Sequence, residues 1–164
     1  MSSTSAAWVC RCGKNGELEE YFIKNGKVGI KIDSLYSFKN CTSYKELNLF
    51  LKDQLSKDTW SPKVVSRVHT FTQRMIEGDY VLVPSKIIFK AYHLGVLYGD
   101  CIFAPYDELT FSRNVEWLGL LKKEELDEET NNSLGSLLTV FKVNGSDKFY
   151  EQLKSLQDEN NPPL

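Results

Sequence analysis

Gly78-Asp79-Tyr80-Val81-Leu82-Val83-Pro84 is the stretch that decides the fold class. Gly78-Asp79 turns the chain, and four strongly β-forming residues follow before Pro84 stops the run. A run this short, bounded by turn residues, reads as a strand. Downstream, Lys90-Ala91-Tyr92-His93-Leu94-Gly95-Val96-Leu97-Tyr98 reads as another. Gly99-Asp100 punctuates it and Cys101-Ile102-Phe103 continues. Arg113 to Gly119 alternates, with Val115 and Trp117 inward against Asn114 and Glu116 outward.

Upstream, Pro62 is a good first-turn residue, and a helix is predicted from there to Ile76. Val64, Val65, Val68, Phe71 and Met75 form its apolar face. Before it, Ser43 and Glu46 make a capping box for a helix carrying Leu47, Phe50, Leu51 and Leu55. Val28-Gly29-Ile30-Lys31-Ile32 and Trp8-Val9-Cys10-Arg11-Cys12 read as strands. Leu18 to Ile23 makes a short helix ended by Asn25-Gly26. Lys148 to Leu156 makes a last helix. The sum is an α+β protein: a largely antiparallel sheet of five or six strands, curled or barrel-like, with two helices between strands two and three.

The chain has 164 residues, 41% hydrophobic and 26% charged, which suits a single folded domain and excludes a disordered tail, a collagen-like repeat or a coiled coil. A domain of this size buries roughly 70% of its unfolded surface, so it needs no metal or disulfide to fold. Its longest apolar runs fall far short of the roughly 20 residues that span a bilayer. Met1 to Ala7 lacks the basic start and apolar run of a signal peptide, so a cytoplasmic location is expected. Cys10, Cys12, Cys41 and Cys101 are then expected as reduced thiols.

Charge is unevenly spread. Residues 1–104 hold 14 Lys and Arg against 10 Asp and Glu, and residues 105–164 hold 6 against 12. The basic body permits an anionic partner. Signatures of catalysis are missing: there is no G-x-S-x-G, no glycine-rich phosphate loop and no H-E-x-x-H. Cys10-x-Cys12 is too tight for the usual zinc knuckle. No catalytic residue, metal or cofactor is therefore expected, and any nuclease or NTPase activity would lie in another domain or subunit.

Six segments together carry a family resemblance. They are Trp8-Val-Cys-Arg-Cys-Gly13, Val28-Gly-Ile-Lys-Ile32, Ile76-Glu-Gly-Asp-Tyr-Val-Leu-Val-Pro-Ser85, Tyr92-His-Leu-Gly-Val-Leu-Tyr-Gly-Asp100, Arg113-Asn-Val-Glu-Trp-Leu-Gly119 and Asn132-Ser-Leu-Gly-Ser-Leu-Leu-Thr-Val-Phe141. The chain resembles the N-terminal recognition domain of Mrr-type and McrB-like modification-dependent restriction proteins. Those domains are similar to the PUA-like superfamily with its EVE and YTH members.

The resemblance implies a PUA-like open barrel over residues 1–156, with 157–164 a linker towards a restriction effector domain or subunit. It implies a DNA-binding specificity module for double-stranded DNA that accommodates one flipped, modified base. Pocket candidates on this reading are Trp8, Ile32, Asp33, Ser34, Trp60, Ser85 and Lys86. Many relatives carry Gly-Trp where Lys31 and Ile32 stand, so the pocket wall is aliphatic there. Phosphate-contact candidates are Arg11, Lys31, Lys63, Arg67, Arg74 and Lys90.

Two other classes stay open. One is a protein–protein interaction or oligomerisation module that uses the acidic C-terminal third. The other is a small cysteine-dependent enzyme.

Overall fold

A computed structural model describes residues 5–160. The elements are β1 (Ala7–Cys10), α1 (Glu19–Asn25), β2 (Lys27–Ile30), α2 (Tyr44–Gln54), α3 (Pro62–His69), β3 (Tyr80–Pro84), β4 (Ala91–Phe103), β5 (Phe111–Lys122), α4 (Glu128–Ser133), β6 (Val140–Lys142) and α5 (Asp147–Asn160). The six strands form one open sheet in the order β2-β5-β4-β3-β1-β6. Every neighbouring pair is antiparallel except β1 with β3. The α+β class and the mostly antiparallel sheet match the sequence reading, as do the two helices between β2 and β3.

The β3 run is apolar without alternation because both faces of the sheet are covered there. Val81 and Val83 join the larger core with Trp8, Val28, Phe71 and Phe111. Tyr80 and Leu82 join the other with Val9, Leu94, Phe149 and Leu153. The larger core is roofed by α1, α2 and α3. The smaller one is covered by α5.

Local signals place the helix ends. Ser43 Oγ accepts from the Glu46 N–H at 3.1 Å, and Glu46 Oε2 accepts from the Thr42 N–H at 3.1 Å, which closes the box one residue earlier than its usual return bond. Ser61 Oγ accepts from the Val64 N–H at 3.2 Å, with Pro62 opening α3. Gly26 adopts φ 60° and ends α1.

β1 and β2 end at Cys10 and Ile30, two residues before the expected Cys12 and Ile32, and two larger differences follow. The helix predicted over 62–76 is α-helical only to His69. Thr70–Arg74 forms a π turn, closed by the Met75 N–H on the Thr70 carbonyl at 3.0 Å. The segment 157–164 is not a linker in its first half, since α5 continues to Asn160. Asn160 Nδ2 bonds the Leu118 carbonyl at 3.0 Å, which ties that end to β5. Residues 161–164 lie outside the described residues.

Candidate functional site

Inward-facing Val65 and Val68 orient α3, because both are fully buried in the larger core. Lys63, Arg67, Thr70 and Arg74 then recur along the opposite stripe and share one cavity of about 480 Å³. Its far wall is the loop 137–139 and β6, ending at Lys142. A second cavity of about 580 Å³ adjoins it, sharing Arg67, Leu137 and Thr139. This one is lined by Arg11, Lys14 and Lys31, with Gly29 and Ile30 at its back and Glu17 and Glu108 as its acids. Seven cations thus face two carboxylates, in a chain whose formal charge is −2.

Arg67 stands at the junction of the two cavities. It is half-buried, and burial pulls its pKa down. Among the described residues no ion pair reaches it. A half-buried cation without a carboxylate partner keeps its field directed into the cavities. Arg11 is fixed by its neighbours: its guanidinium donates to the Ser136 carbonyl at 2.6 Å and to the Leu138 carbonyl at 3.1 Å. Lys14, Lys31, Lys63, Arg74 and Lys142 are exposed.

Five of the six phosphate candidates lie in this cleft. The sixth, Lys90, does not. It sits in the β3–β4 loop at φ 51°, with its ammonium 5.1 Å from the Phe89 ring.

None of the seven base-pocket candidates lines either cavity. Trp8 is only 3% exposed and packs in the larger core. Its indole N–H is held by Asp79, and the Arg74 guanidinium covers its ring at 5.1 Å. Ile32 is also core, its N–H bonded to Thr110 Oγ1 at 2.9 Å. Asp33 and Ser34 form an exposed turn, Ser34 at φ 65°. Trp60 is half-buried between α2 and α3, bonding Asn48 Oδ1 at 3.2 Å.

Ser85 and Lys86 are bound to Glu19. The Ser85 hydroxyl donates to Glu19 Oε2 at 2.6 Å, and the Lys86 N–H donates to Oε1 at 2.6 Å. His93 Nε2 completes the set, 2.8 Å from Oε2. These seven residues therefore do not form one pocket. Aromatic and polar positions within a strand or turn carry the same local pattern whether they serve the core or a ligand.

Sequence reasoning missed Lys14, Lys142 and the leucines of the 137–138 loop. The β6 alternation Val140-Phe141-Lys142 was a usable signal. It puts Lys142 on the side of Val140, towards α3.

Burial disfavours the thiolate at all four cysteines. Burial pushes Cys10 up to about 12, and Cys12 and Cys101 up to about 11. Among the described residues no group of three or more His, Cys, Asp and Glu is placed to hold a metal ion. No helix there is long and apolar enough to cross a membrane.

No curated protein and no solved structure matches the chain. A family model described as Domain of unknown function (DUF8426) matches residues 8–144, and the chain belongs to that family.

Proposed function

We propose that this domain binds double-stranded DNA through the Arg67 cleft and acts as the specificity module of a modification-dependent restriction system. In this reading the open sheet with its helices is a PUA-like scaffold, and cleavage belongs to an effector domain or subunit. One observation carries it: seven cations converge on two adjoining cavities of a chain that is acidic overall. Concave, cationic surfaces with low-dielectric walls focus potential on a polyanion. Lysine and arginine contacts to phosphate then supply affinity without reading sequence.

The base-reading step is assigned to the second cavity, where Gly29 and Ile30 lie beside Arg11 and Lys31. An extruded base costs a few kcal/mol of unstacking, which cleft contacts must offset. A methyl group buried against an aliphatic wall contributes on the order of 0.8 kcal/mol, or about fourfold in affinity.

Fluorescence anisotropy with duplexes differing in one base modification, at two salt concentrations, tests both parts. Log affinity should fall with log salt by about 0.9 per phosphate contact, and Arg67→Glu should weaken binding to every duplex. Absence of salt-dependent binding overturns the function. Salt-dependent binding that ignores the modification removes only base reading.

A second reading, protein–protein interaction, is favoured by one feature. Ile87 and Phe89 are 76% and 84% exposed on the loop that Glu19 pins. Light scattering that shows a concentration-dependent mass, abolished by Ile87→Ser with Phe89→Ser, would support it.

A further inference from the structure

Leu137 is 93% exposed, the most exposed large apolar side chain among the described residues, and it lines both basic cavities. Leu138 beside it is 51% exposed. Their backbone is not loose. Leu134 is buried at the start of the loop, and the Arg11 N–H bonds the Thr139 carbonyl at 2.8 Å near its end. Between them, the Arg11 guanidinium grips the Ser136 and Leu138 carbonyls, the residues on either side of Leu137. A single arginine thus belongs to the cationic lining and also clamps the tip that holds the leucine outward.

An apolar side chain held in water between two cation-lined cavities is complementary to a partner with an apolar centre and anions on both sides. A nucleic-acid duplex supplies both, because stacked bases lie between two phosphate backbones. We infer that Leu137 is a wedge that enters a base step while the flanking cations hold the phosphates. Wedging of this kind unstacks the step and kinks the duplex. It also lowers the cost of extruding a neighbouring base.

An anionic bilayer is the competing occupant, since it too combines apolar and anionic layers. The cleft disfavours it. Arg67 is recessed between α3 and the 137–139 loop, where a convex backbone reaches and a flat headgroup layer does not.

This inference rests on the DNA-binding reading, and the test separates the two. A short duplex carrying 2-aminopurine at successive positions is titrated with the wild-type protein, Leu137→Ser and Arg67→Glu. The wild type should raise 2-aminopurine fluorescence severalfold at one step. Leu137→Ser should keep salt-dependent binding but lose that rise at saturation. Arg67→Glu should lose affinity. Leu137 makes no core contact, so its serine variant tests the wedge without unfolding the protein. Wild-type binding with no fluorescence rise, or a rise that survives in Leu137→Ser, overturns the wedge and leaves DNA binding standing. Failure of the wild type to bind any duplex removes both. Leu137-dependent co-flotation with phosphatidylserine–phosphatidylcholine vesicles, without a fluorescence change on DNA, assigns the loop to a membrane and overturns the wedge.

Discussion

Asp79 Oδ2 accepts the indole N–H of Trp8 at 2.8 Å across 71 residues of sequence. The same carboxyl accepts the Ala6 and Ile76 N–H groups, each at 3.1 Å. Asp79 is 3% exposed. It therefore joins β1 to the turn before β3, the one parallel pair of the sheet, and fixes the tryptophan as a core residue.

Asp79→Ala should cost about 2–4 kcal/mol, because the buried Trp8 indole N–H and two part-buried backbone N–H groups lose their acceptor. Asp79→Asn, which keeps one carbonyl oxygen, should cost less. Urea denaturation reads this as a lowered midpoint at unchanged slope. An Asp79→Ala midpoint equal to wild type would show that the parallel pair stands without this anchor.

Arg67 has the opposite character: it is half-buried, and burial pulls its pKa down with no ion pair reaching it among the described residues. Arg67→Met keeps the stem and removes the charge. The free protein should gain stability on the order of 0.5 kcal/mol, while affinity for duplex DNA falls. Thermal melts paired with anisotropy check the two signs together. A variant that melts lower and binds as before would make Arg67 a structural residue.

Glu19 gives a pH dependence with a definite sign. Burial pushes its carboxyl up, but the Ser85 hydroxyl, the Lys86 N–H and His93 together outweigh that and leave the pKa lowered. A lowered folded value means the stabilisation is present above the unfolded pKa of about 4.3. It is lost as pH falls through the folded value. Amide protection at Lys86 and Ile87 should therefore persist at neutral pH and fade only in that acid window. Glu19→Gln should lack this step. Hydrogen exchange across the acid range decides it, and protection insensitive to both pH and Glu19→Gln would refute the pinning role.

Gly29 lies at the back of the second cavity, in β2 opposite Ser112. A Cβ there would stand 2.5 Å from the Phe111 carbonyl oxygen and 2.6 Å from Leu109 Cδ1. The backbone oxygen cannot yield without breaking the β2–β5 register. Gly29→Ala should cost about 1–3 kcal/mol and displace the β2 wall of the second cavity, which the proposal gives to the base. A midpoint shift on denaturation reports the first effect, and loss of any modification preference reports the second.

Much of the architecture was legible because its signals are local. Ser43 with Glu46, Ser61-Pro62 and Gly26 mark helix ends through bonds made within a few residues. Gly99-Asp100 punctuates the strand locally, and the β4–β5 register shifts between Tyr98 and Ile102. The π turn at Thr70–Arg74 was not legible. The apolar spacing of Val68, Phe71 and Met75 suits a continuing helix, and all three are buried in the larger core across the change of winding.

Residue type and spacing by themselves determined an α+β chain, its helix caps, its strand through Tyr80–Pro84 and its supply of cations. Tertiary structure alone decided where those cations meet. Arg11 follows β1, Lys31 follows β2, Lys63 and Arg67 lie on α3, and Lys142 lies on β6. They become neighbours because β6 pairs beside β1, α3 packs across them, and the sheet curls to bring β2 back to β1, where the Cys10 thiol meets the Gly29 carbonyl at 3.8 Å. Pairing between strands some 130 residues apart is set by which apolar faces fit together, and no short segment encodes that.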